Sequence, residues 1–385
     1  MAENTTKHVL IVAGEASGDL HGSNLARAMM ELNPGVHMQG IGGRKMEAAG
    51  VDILIPSSDM AVVGLTEVLS RLSSIIKAYL KLRSLLKNSR TDLLILIDYP
   101  DFNINLARTA KHFGVPVLYY ISPQVWAWRS GRVRKIARRV NRMAVILPFE
   151  KDFYLKTGTK MDVEYVGHPL LDAIPHDLDK LRIKQELGIK DGNPILGILP
   201  GSRNEEIRNL LPLMISAAES LLSRYNNLRC VLPVAPTIST ELVQSLINKS
   251  SLEVLVSPRD IYSTLSVCDL ALVASGTATL ETAIMEVPMV IAYRVSSISA
   301  WIGKIAINVP YVGLVNIIAG EEVVPELLQD EVTPQGLADK ALSILENEDK
   351  KRAMVKKLRM IKARLGSRGA SQRTAKIAMQ MMERN

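Results

Sequence analysis

Four short stretches combine residue types that can cradle phosphate, take up a proton or accept hydrogen bonds from a diol. In Ile97-Asp98-Tyr99-Pro100-Asp101-Phe102-Asn103 two carboxylates stand at the end of an apolar run. Either can act as a general base. Asp98 is the better placed, because it follows the buried run directly and desolvation raises a carboxyl pKa. Pro100 between the two acids predicts an extended turn. Gly14-Glu15-Ala16-Ser17-Gly18-Asp19 follows the first apolar run and resembles a phosphate-cradling turn at a helix start. It lacks both the G-x-G-x-x-G spacing and the lysine of a P-loop, which argues against dinucleotide or ATP binding. Ser17 and Asp19 can also simply cap the helix.

Pro200-Gly201-Ser202-Arg203 sets a glycine turn, a hydroxyl and a guanidinium at a helix start, a combination suited to pyrophosphate. Glu205 and Glu206 are the acids that could instead consume Arg203. Ala274-Ser275-Gly276-Thr277-Ala278-Thr279-Leu280-Glu281 is the most informative stretch. The amides of Gly276 and Thr277 can face a diphosphate, and Glu281, one turn on, can accept from a ribose diol. This pattern is typical of nucleotide-sugar binding in two-domain transferases; a capping box is the structural alternative. No D-x-D motif is read in the chain, so no metal is expected to hold the diphosphate, and Arg203 with the helix dipoles must stabilise a leaving group.

Each stretch needs a strand end to hold it. Apolar runs at His8–Ala13, Leu93–Ile97, Val117–Tyr120 and Met143–Leu147 alternate with helical patterns, the rhythm of buried parallel strands covered on both faces. A second series follows at Ile195–Leu199, Arg229–Val234, Leu252–Val256, Leu270–Ala274 and Met289–Ala292. The expected fold is α/β, with two Rossmann-like doubly wound domains facing a central cleft. Boundaries are expected at 1–175 for the first domain and 176–350 for the second. Residues 351–385 read as C-terminal helices broken near Gly366 and Gly369, with the option of packing back on the first domain. A chain of 385 residues is long enough for two cores.

Composition narrows the partners. The net charge of +8 favours nucleic acid, anionic lipid or phosphorylated ligands, and 4% aromatic residues disfavour base stacking, so no nucleic-acid partner is expected. Cys230 and Cys268 sit in apolar runs as small buried residues, and six scattered histidines form no zinc pattern. No apolar run reaches a bilayer-spanning length and no signal peptide opens the chain, which predicts a cytoplasmic protein with peripheral membrane contact. Met60, Val62, Val63 and Leu65, next to Lys77, Lys81, Arg83 and Lys87, suit an amphipathic surface on anionic lipid; a core-packed helix with a basic face is the alternative. Arg129–Arg142 is a second basic cluster, and Trp126 and Trp128 suit a lipid or sugar contact or the core.

Read together, GEASGD, IDYPDFN, YYISPQVWAWR, the PFE of Pro148–Glu150, VGHP, LPGSR, ASGTATLE and the VNIIAG of Val315–Gly320 resemble the lipid-A-disaccharide synthase family, glycosyltransferase family 19. The likeness runs in register from about residue 8 to the C-terminus. It implies a GT-B fold and metal-independent, inverting transfer of 2,3-diacylglucosamine from UDP to the 6-hydroxyl of 2,3-diacylglucosamine 1-phosphate (lipid X). The implied products are the β-1,6 disaccharide 1-phosphate and UDP, on the route to lipid A in Gram-negative bacteria. By the same resemblance Asp98 is the general base, with Ser17 beside the sugar and acceptor. Arg203, Ser275, Gly276, Thr277, Glu281 and Asn316 hold UDP. It implies peripheral attachment to the inner membrane; no cofactor is expected, and a homodimer is compatible with the sequence, which does not itself fix the oligomeric state. Three other readings compete: a UDP-sugar epimerase of the same plan, a basic lipid- or RNA-binding module, and, weakest, an oxidoreductase.

Overall fold

The computed structural model describes residues 6–60, 65–88, 90–128, 130–159, 161–175, 177–190, 192–294 and 310–383. The chain forms two compact units, residues 1–172 with 365–385 and residues 173–364.

The first unit holds a seven-stranded sheet in the order β3-β2-β1-β4-β5-β6-β7. Its strands are β1 (Lys7–Ala13), β2 (Val36–Gly42), β3 (Asp52–Pro56), β4 (Leu93–Ile97), β5 (Val117–Tyr120), β6 (Arg142–Val145) and β7 (Asp162–Tyr165), all paired in parallel. Central strands β4 and β5 are buried at every position. Helices cover both faces, so two apolar cores form, one on each side of the sheet.

The second unit repeats the plan with six parallel strands in the order β10-β9-β8-β11-β12-β13. These are β8 (Ile195–Leu199), β9 (Arg229–Pro233), β10 (Val254–Ser257), β11 (Leu270–Ala274), β12 (Met289–Tyr293) and β13 (Glu326–Leu328). In both sheets the chain reverses its direction of growth once, between β1 and β4 and between β8 and β11. Loops leaving the carboxyl ends of such a strand pair splay apart, and that crevice is where open α/β sheets bind ligands.

Two boundaries differ from the sequence expectation. The first crossing falls at 172/173, and the tail does not travel as one segment 351–385. The helix Glu348–Arg364 stays in the second unit, where Arg359 and Lys362 pair with Glu286 at 2.7 and 3.1 Å. Only the helix Ala370–Glu383 packs on the first unit, against the helix Ala16–Leu32, burying Ile377, Ala378 and Met382. Three bonds fix its approach: His168 N to Leu365 O (2.9 Å), Gly369 N to Asp172 Oδ1 (2.6 Å) and Arg373 Nε to Val166 O (2.7 Å).

Candidate functional site

The reversal point of the first sheet brings GEASGD and IDYPDFN side by side. Ala13 pairs with Ile97, so Gly14 and Asp98 leave the sheet on neighbouring strands. Asp98 and Tyr99 both have positive φ, 45° and 46°. Left-handed non-glycine residues cost about 1–3 kcal/mol each and need support from their surroundings. Here the Asp98 carbonyl accepts from Tyr119 Oη (2.5 Å) and Asn103 Nδ2 (2.7 Å), while Tyr99 Oη donates to Met60 O (2.9 Å). Tyr99 is therefore not extended, as its place before proline predicted. Pro100 instead opens the helix Pro100–His112.

Gly14 clears a ring. A Cβ built there would lie 2.6 Å from the Tyr99 side chain. Asp19 is buried and does not cap its own helix; its carboxylate accepts from Gly43 N (2.7 Å), Met46 N (3.0 Å) and Lys45 N (3.2 Å), closing the start of the helix Arg44–Ala48. Ser17 is exposed in the first turn of the helix Ala16–Leu32.

These contacts hold the backbone at Asp98. Burial pushes its carboxyl pKa up to about 6, and the negative charge of Glu15 adds to the rise. Glu15 was not singled out in the sequence as a neighbour of Asp98; the signal was its place two residues past β1, the strand that pairs with β4. Asp101 turns away and pairs with Arg132 at 2.6 Å. Part of the basic cluster is likewise consumed: Arg139 bonds Ile104 O (3.0 Å) and Arg142 pairs with Asp162 (2.8 Å).

The reversal point of the second sheet brings LPGSR beside ASGTATLE, since β8 and β11 are paired. Glu206 accepts from Ser202 N (2.9 Å) and Arg203 N (3.2 Å), which braces the turn. Its other oxygen reaches the Arg203 guanidinium only at 3.4 Å, and the Arg203 side chain is 73% exposed. That pair is worth little. Ser275 is anchored through N to Ala292 O (2.9 Å) and Oγ to Val312 O (3.1 Å). Gly276, at φ 153° and ψ −157°, occupies a region open essentially to glycine alone, and the helix Thr277–Ile284 starts after it with no side-chain cap. The capping-box alternative fails, because the third helical residue is Thr279 and not Glu281. Exposed Gly276 and Thr277 thus leave helix-start amides for an anion. Glu281 is partly buried; burial raises its pKa, and the Tyr262 hydroxyl eases the shift.

Asn316 needs correcting. It is fully buried, Nδ2 donating to Val324 O (2.8 Å) and Glu326 Oε1 (2.7 Å), Oδ1 accepting from Val323 N (2.8 Å) and Val324 N (3.1 Å). No side-chain polar atom is left for a nucleotide; Asn316 shapes a loop. Glu326, which the sequence reading missed, completes the clasp by accepting from Val312 N (2.9 Å) and Gly313 N (3.0 Å) and so holds the segment to which Ser275 Oγ is bonded.

Against this geometry the comparisons are decisive. The family described as lipid-A-disaccharide synthetase matches residues 9–381. A lipid-A-disaccharide synthase of Geobacter metallireducens is 46% identical over 382 residues, covering 99% of each chain. The chain belongs to the lipid-A-disaccharide synthase family. Solved structures share the GT-B fold at low identity. Acinetobacter baumannii MurG has a TM-score of 0.58 at 16% identity, covering 97% of this chain and 99% of that one. A UDP-GlcNAc 2-epimerase from Neisseria meningitidis has a TM-score of 0.62 at 14%, covering 98% and 99%.

In this family member Met60 is core, not surface. Val62, Val63, Arg129 and the side chains of Leu65 and Trp128 lie outside the described residues. The helix Leu65–Asn88 packs Ala78, Leu82 and Leu86 inward yet leaves Ile76 and Leu80 49% and 54% exposed, one turn apart among Lys77, Lys81 and Arg83. Among the described residues no helix is long and apolar enough to cross a membrane, and no group of three His, Cys, Asp or Glu could hold a metal. Contrary to the expectation of no D-x-D motif, the chain holds one at Asp177-Leu178-Asp179; its Asp179 caps the helix Lys180–Glu186, accepting from Arg182 N (3.0 Å).

Proposed function

We propose that the chain joins a 2,3-diacylglucosaminyl group from UDP to the 6-hydroxyl of 2,3-diacylglucosamine 1-phosphate with inversion. Asp98 takes the hydroxyl proton as the oxygen bonds to the anomeric carbon, and the bond to the UDP oxygen breaks. The observation that carries this reading is a half-buried carboxylate, raised to about 6, on a turn clamped through its backbone at a sheet reversal point. Arg203 and the amides of Gly276 and Thr277 take the charge that develops on the diphosphate. Glu281 accepts from the ribose diol, Ser275 supports the amide turn, and Ser17 lines the sugar side. Asn316 serves the nucleotide indirectly through its loop. Neither metal nor cofactor enters this scheme, so EDTA should leave turnover unchanged.

Mass spectrometry of the product from acylated UDP-glucosamine and the 1-phosphate acceptor tests the reading. A tetra-acyl disaccharide 1-phosphate with one equivalent of UDP is expected. An isomerised UDP-sugar formed without acceptor would overturn it in favour of an epimerase.

Both substrates are acylated, so the enzyme should work at the inner-membrane surface. The exposed Ile76 and Leu80 within a basic helix support peripheral attachment. Changing both to Glu should weaken sedimentation with anionic vesicles by about tenfold, each apolar side chain contributing on the order of 1 kcal/mol or more. Unchanged sedimentation would rule this helix out as the contact.

A further inference from the structure

A further buried carboxylate follows β6, two strands along the first sheet from the Asp98 turn on β4. Glu150 opens the helix Glu150–Lys156 and is 1% exposed. One oxygen, Oε2, accepts from Leu147 N (2.9 Å) and Ile146 N (3.2 Å), just past β6. The other, Oε1, accepts from Trp126 Nε1 (3.2 Å), on the short helix Val125–Trp128 that follows β5. Ser122 lies at the same carboxyl and shares a hydrogen bond with Tyr154 Oη (2.8 Å). These partners are neutral donors, and burial pushes the Glu150 pKa up to about 7. A carboxyl in such surroundings costs stability compared with an apolar side chain, so its placement calls for a positional reason.

The loop it grips leaves β5 through Ile121, a non-glycine residue at φ 64°. Trp126 is partly exposed and meets Phe149 edge-on at 5.0 Å. β5 pairs directly with β4, Tyr120 opposite Ile97, and Tyr119 on β5 bonds the Asp98 carbonyl. The base and the indole are therefore carried by consecutive strand ends of one sheet, each pinned by a buried polar side chain.

We propose that Glu150 is a positioning residue for the acceptor: by holding Trp126 through one oxygen and the Ile146–Leu147 turn through the other, it fixes the indole face as the platform on which the acceptor sugar ring stacks. An aromatic face suits the C–H side of a sugar, and its polar edge needs a partner when buried. This assignment rests on the proposed transferase reading.

Glu150→Gln tests it selectively. The amide oxygen can still accept from the two backbone N–H groups, but the NH2 then opposes Trp126 Nε1–H, donor against donor. The acceptor KM should rise about tenfold, the size of one lost charge-assisted hydrogen bond, with the KM for the UDP-sugar unchanged within about twofold by the same measure. Trp126→Phe should match it, and the double variant should be no worse than either single one. Hydrogen exchange should show faster amides across 121–128 in Glu150→Gln without any substrate present.

An unchanged acceptor KM in either variant, or effects that add, would overturn the proposal. If Glu150→Gln does not fold, Trp126→Phe alone decides, since it leaves the backbone bonds of Glu150 intact. Failure of the transferase reading would look different: the unmodified enzyme would then form no disaccharide.

Discussion

Asp98→Asn is expected to lower kcat by roughly 10³, within the range that a positioned general base supplies, while UDP binding measured by calorimetry stays unchanged. Asn is the right probe because the backbone at this position has φ 45°, which Asn tolerates better than most residues. The clamps from Tyr119 and Asn103 reach the main-chain carbonyl and survive the change. The pH dependence supplies a second signature. A base must be ionised to take a proton, and burial and Glu15 both favour the neutral form, with the pKa near 6. Thus kcat/KM should fall as pH drops through about 6, and the residual activity of Asp98→Asn should lack that limb. Glu15→Gln should move the limb to lower pH by removing a like charge. Equal loss of UDP binding and turnover in Asp98→Asn would instead make Asp98 a structural residue.

The second large effect is expected at Arg203. Arg203→Ala should reduce kcat/KM by about 10²–10³, the range for losing one donor to a developing oxyanion. Its melting temperature should stay level, because the guanidinium is largely in solvent and its contact with Glu206 is long. Arg203→Lys should recover only part of the loss, since an ammonium cannot reproduce a bidentate fork. Wild-type kcat/KM in Arg203→Ala would remove this residue from the leaving-group side. The contrast with Asn316 is instructive. Replacing a fully buried side chain with four protein partners acts through folding of the 312–326 segment first.

Much of the fold was legible in the chain. Leu93–Ile97, Val117–Tyr120, Ile195–Leu199 and Leu270–Ala274 were read residue for residue, because strands buried on both faces are continuous apolar runs. β3, β7 and β13 went unread. They are short strands at sheet edges with exposed or half-buried positions, so no apolar run marks them. β2 carries His37, Gln39 and two glycines, which break the same signal. The tail was read as helices broken at Gly366 and Gly369, but its division between the two units is a matter of long-range packing that local periodicity does not encode.

The same division runs through the site. By itself the sequence determined the family, the α/β class and the four loops, because motif spacing and hydrophobic period are local properties of a chain. Which atoms within those loops are free for chemistry was decided only by the tertiary structure. Tyr119 and Asn103 hold the Asp98 carbonyl, and its carboxyl feels the charge of Glu15, which stands at the N-cap of the helix after β1 and lies over 80 residues away in sequence. Asp19 and Asn316, polar residues in equally suggestive motifs, have their hydrogen-bonding capacity spent on backbone amides and on Glu326. A buried polar atom must find a partner, and who that partner is depends on what the fold brings next to it.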